Sequence, residues 1–104
     1  MASESKIGSY TGTGAALNIE LGFVPDHVVI VNETDGDTRH EWFSGMTDGH
    51  ALQSAASGAN TKITSNGISA LTGNASTREG FTAGTAVSED TKTFRYVATR
   101  NGEY

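Results

Sequence analysis

The residues able to do chemistry are few and lie far apart. Three histidines, His27, His40 and His50, share no spacing that places two on one face, and the chain holds no cysteine. A structural or catalytic zinc needs three or four converging ligands, so these histidines read as partly buried polar groups at strand ends. Glu33, Asp35, Asp37 and Glu41 offer carboxylate oxygens for calcium. The alternating ligands with glycine at six and glutamate at twelve are absent, and a solvated turn accounts for the cluster. Asp48, Glu89 and Asp90 also fall in turn segments, where solvent keeps acids ordinary rather than tuned for proton transfer. Ser44-Gly45 and Ser57-Gly58 lack the Gly-x-Ser-x-Gly elbow of a nucleophile. Gly12-Thr13-Gly14 has neither the lysine nor the helix of a phosphate loop. The expectation is a non-enzymatic protein with no metal and no cofactor.

The aromatic residues carry more information: Tyr10, Trp42, Phe43, Phe94, Tyr96 and Tyr104. Trp42 and Phe43 are adjacent, so in a strand they point to opposite faces and cannot both enter one core. One of them needs a cover. Residues 45–61, read as a long irregular loop, offer one cover; a subunit interface, where aromatics concentrate, offers another. Both readings stand at this stage. The candidate interface residues are Trp42 and Phe43, Met46 and Leu52 from the loop, and Lys6 and Ile7 where an N-terminal arm meets the domain.

The elements that must position these residues are short strands. Val28 to Val31 is the only unbroken apolar run, introduced by the sole proline, Pro25, and ended at Asn32. It reads as a central strand over residues 27–32, buried on both faces. Before it, Leu17, Ile19, Leu21 and Phe23 alternate with polar residues, the period of a half-buried strand. Asp35-Gly36 signals a hairpin into a strand over residues 38–44. Residues 62–64 and 68–71 read as a second hairpin about Asn66-Gly67, a type I′ signal. Residues 80–84 form a short strand. The last strand, residues 93–99, puts Phe94, Tyr96 and Ala98 on one face and is expected to pair with residues 85–88. Strands at this spacing predict an all-β fold, a small antiparallel sandwich or barrel of jelly-roll-like type.

Composition agrees. Glycine, threonine and serine (13, 14 and 10 residues) make up 37 of 104 positions, a turn-rich balance that the β-branched and aromatic clusters keep from reading as disorder. One domain is expected over residues 7–104, behind a flexible arm at 1–6. The net charge of −5 and the scattered lysines and arginines argue against a nucleic-acid partner. No segment has the length of a membrane span, and the first residues lack an apolar signal core. Synthesis in the cytoplasm is expected.

The order of motifs resembles one family. Gly8-Ser9-Tyr10-Thr11-Gly12-Thr13-Gly14 is followed by Gly22-Phe23-Val24-Pro25-Asp26-His27-Val28. Then come Glu41-Trp42, Asn66-Gly67-Ile68, Gly80-Phe81-Thr82-Ala83-Gly84 and Tyr96-Val97-Ala98-Thr99. Over residues 7–100 this is similar to small virion proteins of tailed bacteriophages. The resemblance implies a structural protein of the particle: a head decoration (cement) protein, or a module of a tail fibre or tail tip that recognises a receptor. The stand-alone length favours decoration. A decoration protein implies a homotrimer on the outer capsid surface, bound to the major capsid protein and bridging capsomers through the arm or the 45–61 loop. No contact residue is carried over from the family.

Overall fold

The computed structural model describes residues 4–100. Nine strands lie in two antiparallel sheets. The larger sheet has the order β1 (Glu4–Thr11), β9 (Thr93–Arg100), β3 (His27–Asn32), β4 (Thr38–Phe43), β5 (Ala51–Ala55) and β6 (Asn60–Ile63). The smaller has β2 (Leu17–Glu20), β8 (Gly80–Ala83) and β7 (Ile68–Leu71). The fold is a sandwich of unequal sheets.

Alternation along each strand builds the core. From the larger sheet come Val28, Ile30, Trp42, Ala51, Phe94, Tyr96 and Ala98. The smaller sheet and its connections add Leu21, Phe23, Ile68, Phe81, Ala83 and Val87. Phe81 meets Tyr96 edge-on at 5.3 Å between ring centroids, a contact between the two sheets. Tyr10 stacks on Phe94 at 5.4 Å, and its hydroxyl donates to the Val87 carbonyl at 2.7 Å. The hairpin at Asp35-Gly36 forms as expected. Asn32, itself buried, closes it: its Oδ1 accepts from the Asp35 N–H, and Gly36 takes φ +67°.

Four expectations are corrected. The arm gives way to strand at Glu4, so positions 4–6 belong to β1; residues 1–3 and Tyr104 lie outside the described residues. Residues 45–61 are not one irregular loop, because β5 and the first residues of β6 arise within them. The alternation there was masked by alanine and serine, which bury little area each. Residues 85–88 do not pair with β9; Thr85–Val87 is a 3-10 turn, and β9 lies between β1 and β3. Finally, Asn66-Gly67 is not a type I′ hairpin turn. It carries the chain from the larger sheet to the smaller, with only Asn66 at positive φ (62°).

Gly67 is required there for closeness. A Cβ would stand 2.7 Å from the Gly49 carbonyl oxygen and 2.8 Å from that of His50, both backbone atoms that cannot swing aside. Gly67→Ala is therefore expected to destabilise the fold by about 2 kcal/mol or more, since overpacking against backbone costs roughly 1–3 kcal/mol or beyond. Trp42→Ala is expected to cost about 3–5 kcal/mol and Phe43→Ala less than about 1 kcal/mol. Urea unfolding followed by far-ultraviolet circular dichroism measures all three.

Candidate interaction face

The central strand β3 has one solvent-facing side. Val28, Ile30 and Asn32 are buried, His27 and Val29 are half-buried, and Val31 is 38% exposed. The expectation of burial on both faces fails because the smaller sheet covers only one side of the larger. Every strand of the larger sheet therefore sends alternate residues to an uncovered face.

The registers place those residues in rows. One row runs Ile7, Val97, Val29, Glu41, Leu52, Lys62 across all six strands. Beside it, Phe43 pairs with His27, and His27 with Thr99. On the other side, Arg39 pairs with Val31 and Val31 with Arg95. Among the described residues, the large hydrophobics that remain exposed, Ile7 (77%), Val31, Phe43, Leu52 and Val97, all belong to this face. Near the β1 edge, Ile7, Val29, Val31 and Val97 line a shallow apolar groove of about 250 Å³ with Arg95 at its rim.

The candidate interface residues divide accordingly. Phe43, Leu52 and Ile7 come together on the outer face. Trp42 points inward, 3% exposed, and belongs to the core; its indole N–H meets no acceptor among the described residues. Met46 is half-buried against the core, and its sulfur accepts from the Phe43 N–H at 3.3 Å. Lys6 is exposed but has the inward parity of β1, opposite Ala98. So the question of which aromatic needs a cover has an answer: Phe43, covered by neither the 45–61 segment nor the second sheet. Val29, Val31 and Val97 were missed as surface residues. For Val97 the signal was legible, since Phe94, Tyr96 and Ala98 claim the inner positions of β9. For Val29 and Val31 the continuous apolar run hid it.

Charges frame the face rather than fill a catalytic site. Glu41 accepts from or pairs with His27 Nε2 at 2.7 Å, and Arg39 lies 3.8 Å from its other oxygen. The His27 ring stacks on Phe43 at 4.6 Å and 9°, holding that phenyl flat against the sheet. Glu33 pairs with Arg95 at 2.6 Å and Asp35 with Lys92 at 3.2 Å, so two acids of the hairpin turn tie it to the start of β9. Such exposed pairs contribute little each. Among the described residues, no three histidine, aspartate or glutamate side chains gather closely enough to hold a metal ion. A second, polar cleft of about 390 Å³ lies among Gly22, Thr72, Asn74, Thr77, Arg78 and Glu79.

Compared with known proteins, the chain matches no family model, no curated protein and no solved structure at a significant level.

His40 is buried on the inner face beside Trp42, its Nε2 3.0 Å from Gln53 Oε1. Burial pushes its imidazole below the ordinary value of 6.5, and the Gln53 hydrogen bond opposes that shift. Below this value the unfolded chain binds the proton that the folded state resists, so stability falls as pH drops through 6.5 and is unaffected above it. The loss ends once pH passes the lowered folded value. The urea midpoint of the wild type is expected to drop more between about pH 7.5 and about pH 5.5 than that of His40→Gln, whose carboxylates are the same. Equal drops in the two proteins would remove His40 from the account.

Proposed function

We propose that this chain is a non-enzymatic structural protein of a tailed-phage particle, a head decoration protein that binds the outer shell as a symmetric oligomer. The observation that carries the reading is the outer face of the larger sheet. It gathers the exposed large hydrophobics into adjoining rows, with charges interspersed, where a single chain in water gains nothing by exposing them. The resemblance of the motif order to that of phage virion proteins suggests the class of partner, the major capsid protein. Of the face, the Phe43 and Leu52 half lies farthest from the β1 edge and is the part assigned to the shell. Binding there stabilises the shell by mass action.

The polar cleft beside Arg78 favours a second reading, a receptor-recognition module of a fibre or tail tip, because polar loops around an open cleft suit a saccharide or polar peptide. The two differ in where the protein sits. A decoration protein is present in many copies over the head and binds tailless shells; a receptor module is scarce and binds cells.

The test uses purified protein added to undecorated shells of the phage that encodes it. Phe43→Glu combined with Leu52→Glu is expected to lower shell occupancy more than about tenfold, a loss of about 1.4 kcal/mol or more, with the circular dichroism spectrum unchanged. Unchanged occupancy in the double variant, or absence of the protein from heads, would overturn the assignment.

A further inference from the structure

We infer that the free edge of β1 pairs with the same edge of a second copy of this chain, as a two-fold antiparallel ladder centred on Ile7. The inference is independent of what particle, if any, the protein joins.

β1 stands at the end of the larger sheet and pairs with β9 through eight consecutive positions, from Glu4↔Arg100 to Thr11↔Thr93, without an offset. The same register continues one step further, where the Gly12 N–H donates to the Lys92 carbonyl at 2.8 Å. Backbone groups on an antiparallel strand point alternately to one side and the other. Counting back from Gly12, positions 10, 8, 6 and 4 direct their N–H and C=O toward β9. Those of Ser5, Ile7, Ser9 and Thr11 point away from the sheet. The other side of β9 gives the same phase, because Glu33 N–H donates to the Thr93 carbonyl at 2.9 Å, assigning the odd positions of β9 to β3.

Among the described residues this edge is covered by no other element and carries little of the usual protection. It contains no proline and no bulge, and its one lysine, Lys6, points to the face opposite Ile7. The opposite edge of the sheet, β6, is only four residues long. Ile7 is 77% exposed, the most exposed large hydrophobic among the described residues.

The edge is complementary to itself. Hydrogen-bond phase allows outward-pointing positions to pair only with outward-pointing positions. A two-fold axis at Ile7 satisfies this by pairing Ile7 with its own counterpart and Ser5 with Ser9, for about six inter-chain hydrogen bonds. Ile7 then lies directly against Ile7, and Lys6 faces Gly8, so no like charges stand directly opposite. The contact is isologous and closed, as a two-fold interface must be. It also joins the Ile7–Val97–Val29 row of one chain to that of the next, making one twelve-stranded sheet whose apolar rows run through the junction. A second copy necessarily brings its own Ile7 onto Ile7 when the outward positions pair, whereas a partner of different sequence carries no such requirement, which is why a second copy is the occupant.

Light scattering on the full chain is expected to give about twice the 10.8 kDa chain mass. Ile7→Pro removes an N–H that the fold does not use, so it is expected to give a monomer with an unchanged circular dichroism spectrum. In the ladder the two Ile7 Cα atoms lie about 5.5 Å apart, within disulfide range, in a protein that has no cysteine of its own. Ile7→Cys is therefore expected to form a covalent dimer under mild oxidation at least about tenfold faster than Ser9→Cys, whose counterparts are offset along the strands. A wild-type monomer at millimolar concentration would overturn the pairing, as would a dimer that survives Ile7→Pro or equal cross-linking by the two cysteine variants. A trimer would also overturn it, while leaving the decoration reading in place.

Discussion

The two-residue period of β9, hydrogen-bonded on one side to β1 and on the other to β3, is the constraint on which the rest of the molecule depends. It commits Phe94, Tyr96 and Ala98 to the core and Arg95, Val97 and Thr99 to the opposite face. The registers transmit that choice across the sheet. Val28 and Ile30 must be inside because Ala98 and Tyr96 are, and Trp42 and His40 follow from them. A slip of one residue at any of these pairings would exchange the two faces.

Two layers leave the larger sheet with one covered side. The smaller sheet lies on one side of the larger, and none of the described residues covers the other. Valine, isoleucine, leucine and phenylalanine on that side are useless to the stability of a lone chain, yet the registers set them next to one another. Charged residues interleave with them, and ion pairs such as Glu33–Arg95 keep the face soluble without covering its apolar atoms. The polar outer side of the smaller sheet differs: Thr82 donates to Asn18 there, and no large hydrophobic residue is exposed.

The termini of the larger sheet are also unlike. At β6 the ladder ends in four positions, three of them polar (Asn60, Thr61 and Lys62) and the fourth Ile63. At β1 it ends in eight, with the donors and acceptors of Ser5, Ile7 and Ser9 directed outward. Exposed backbone and an exposed isoleucine occur at the same position because both follow from the alternation of one strand.

The sequence by itself determined the all-β class, the hairpin at Asp35-Gly36 and most strand positions, since two-residue alternation and turn residues are local signals. It also determined that Trp42 and Phe43 must part, because adjacent strand residues face opposite ways. It did not determine which of them would be buried, nor that Asn66-Gly67 would cross between sheets, nor that β5 lay within residues 45–61. Those outcomes depend on which strands become neighbours, a matter of contacts between residues distant in the chain. The apolar run at Val28 to Val31 shows the limit most clearly. Its composition is that of a strand buried twice over, and Val29 and Val31 lie on the surface because no second layer among the described residues covers the outer side of the larger sheet.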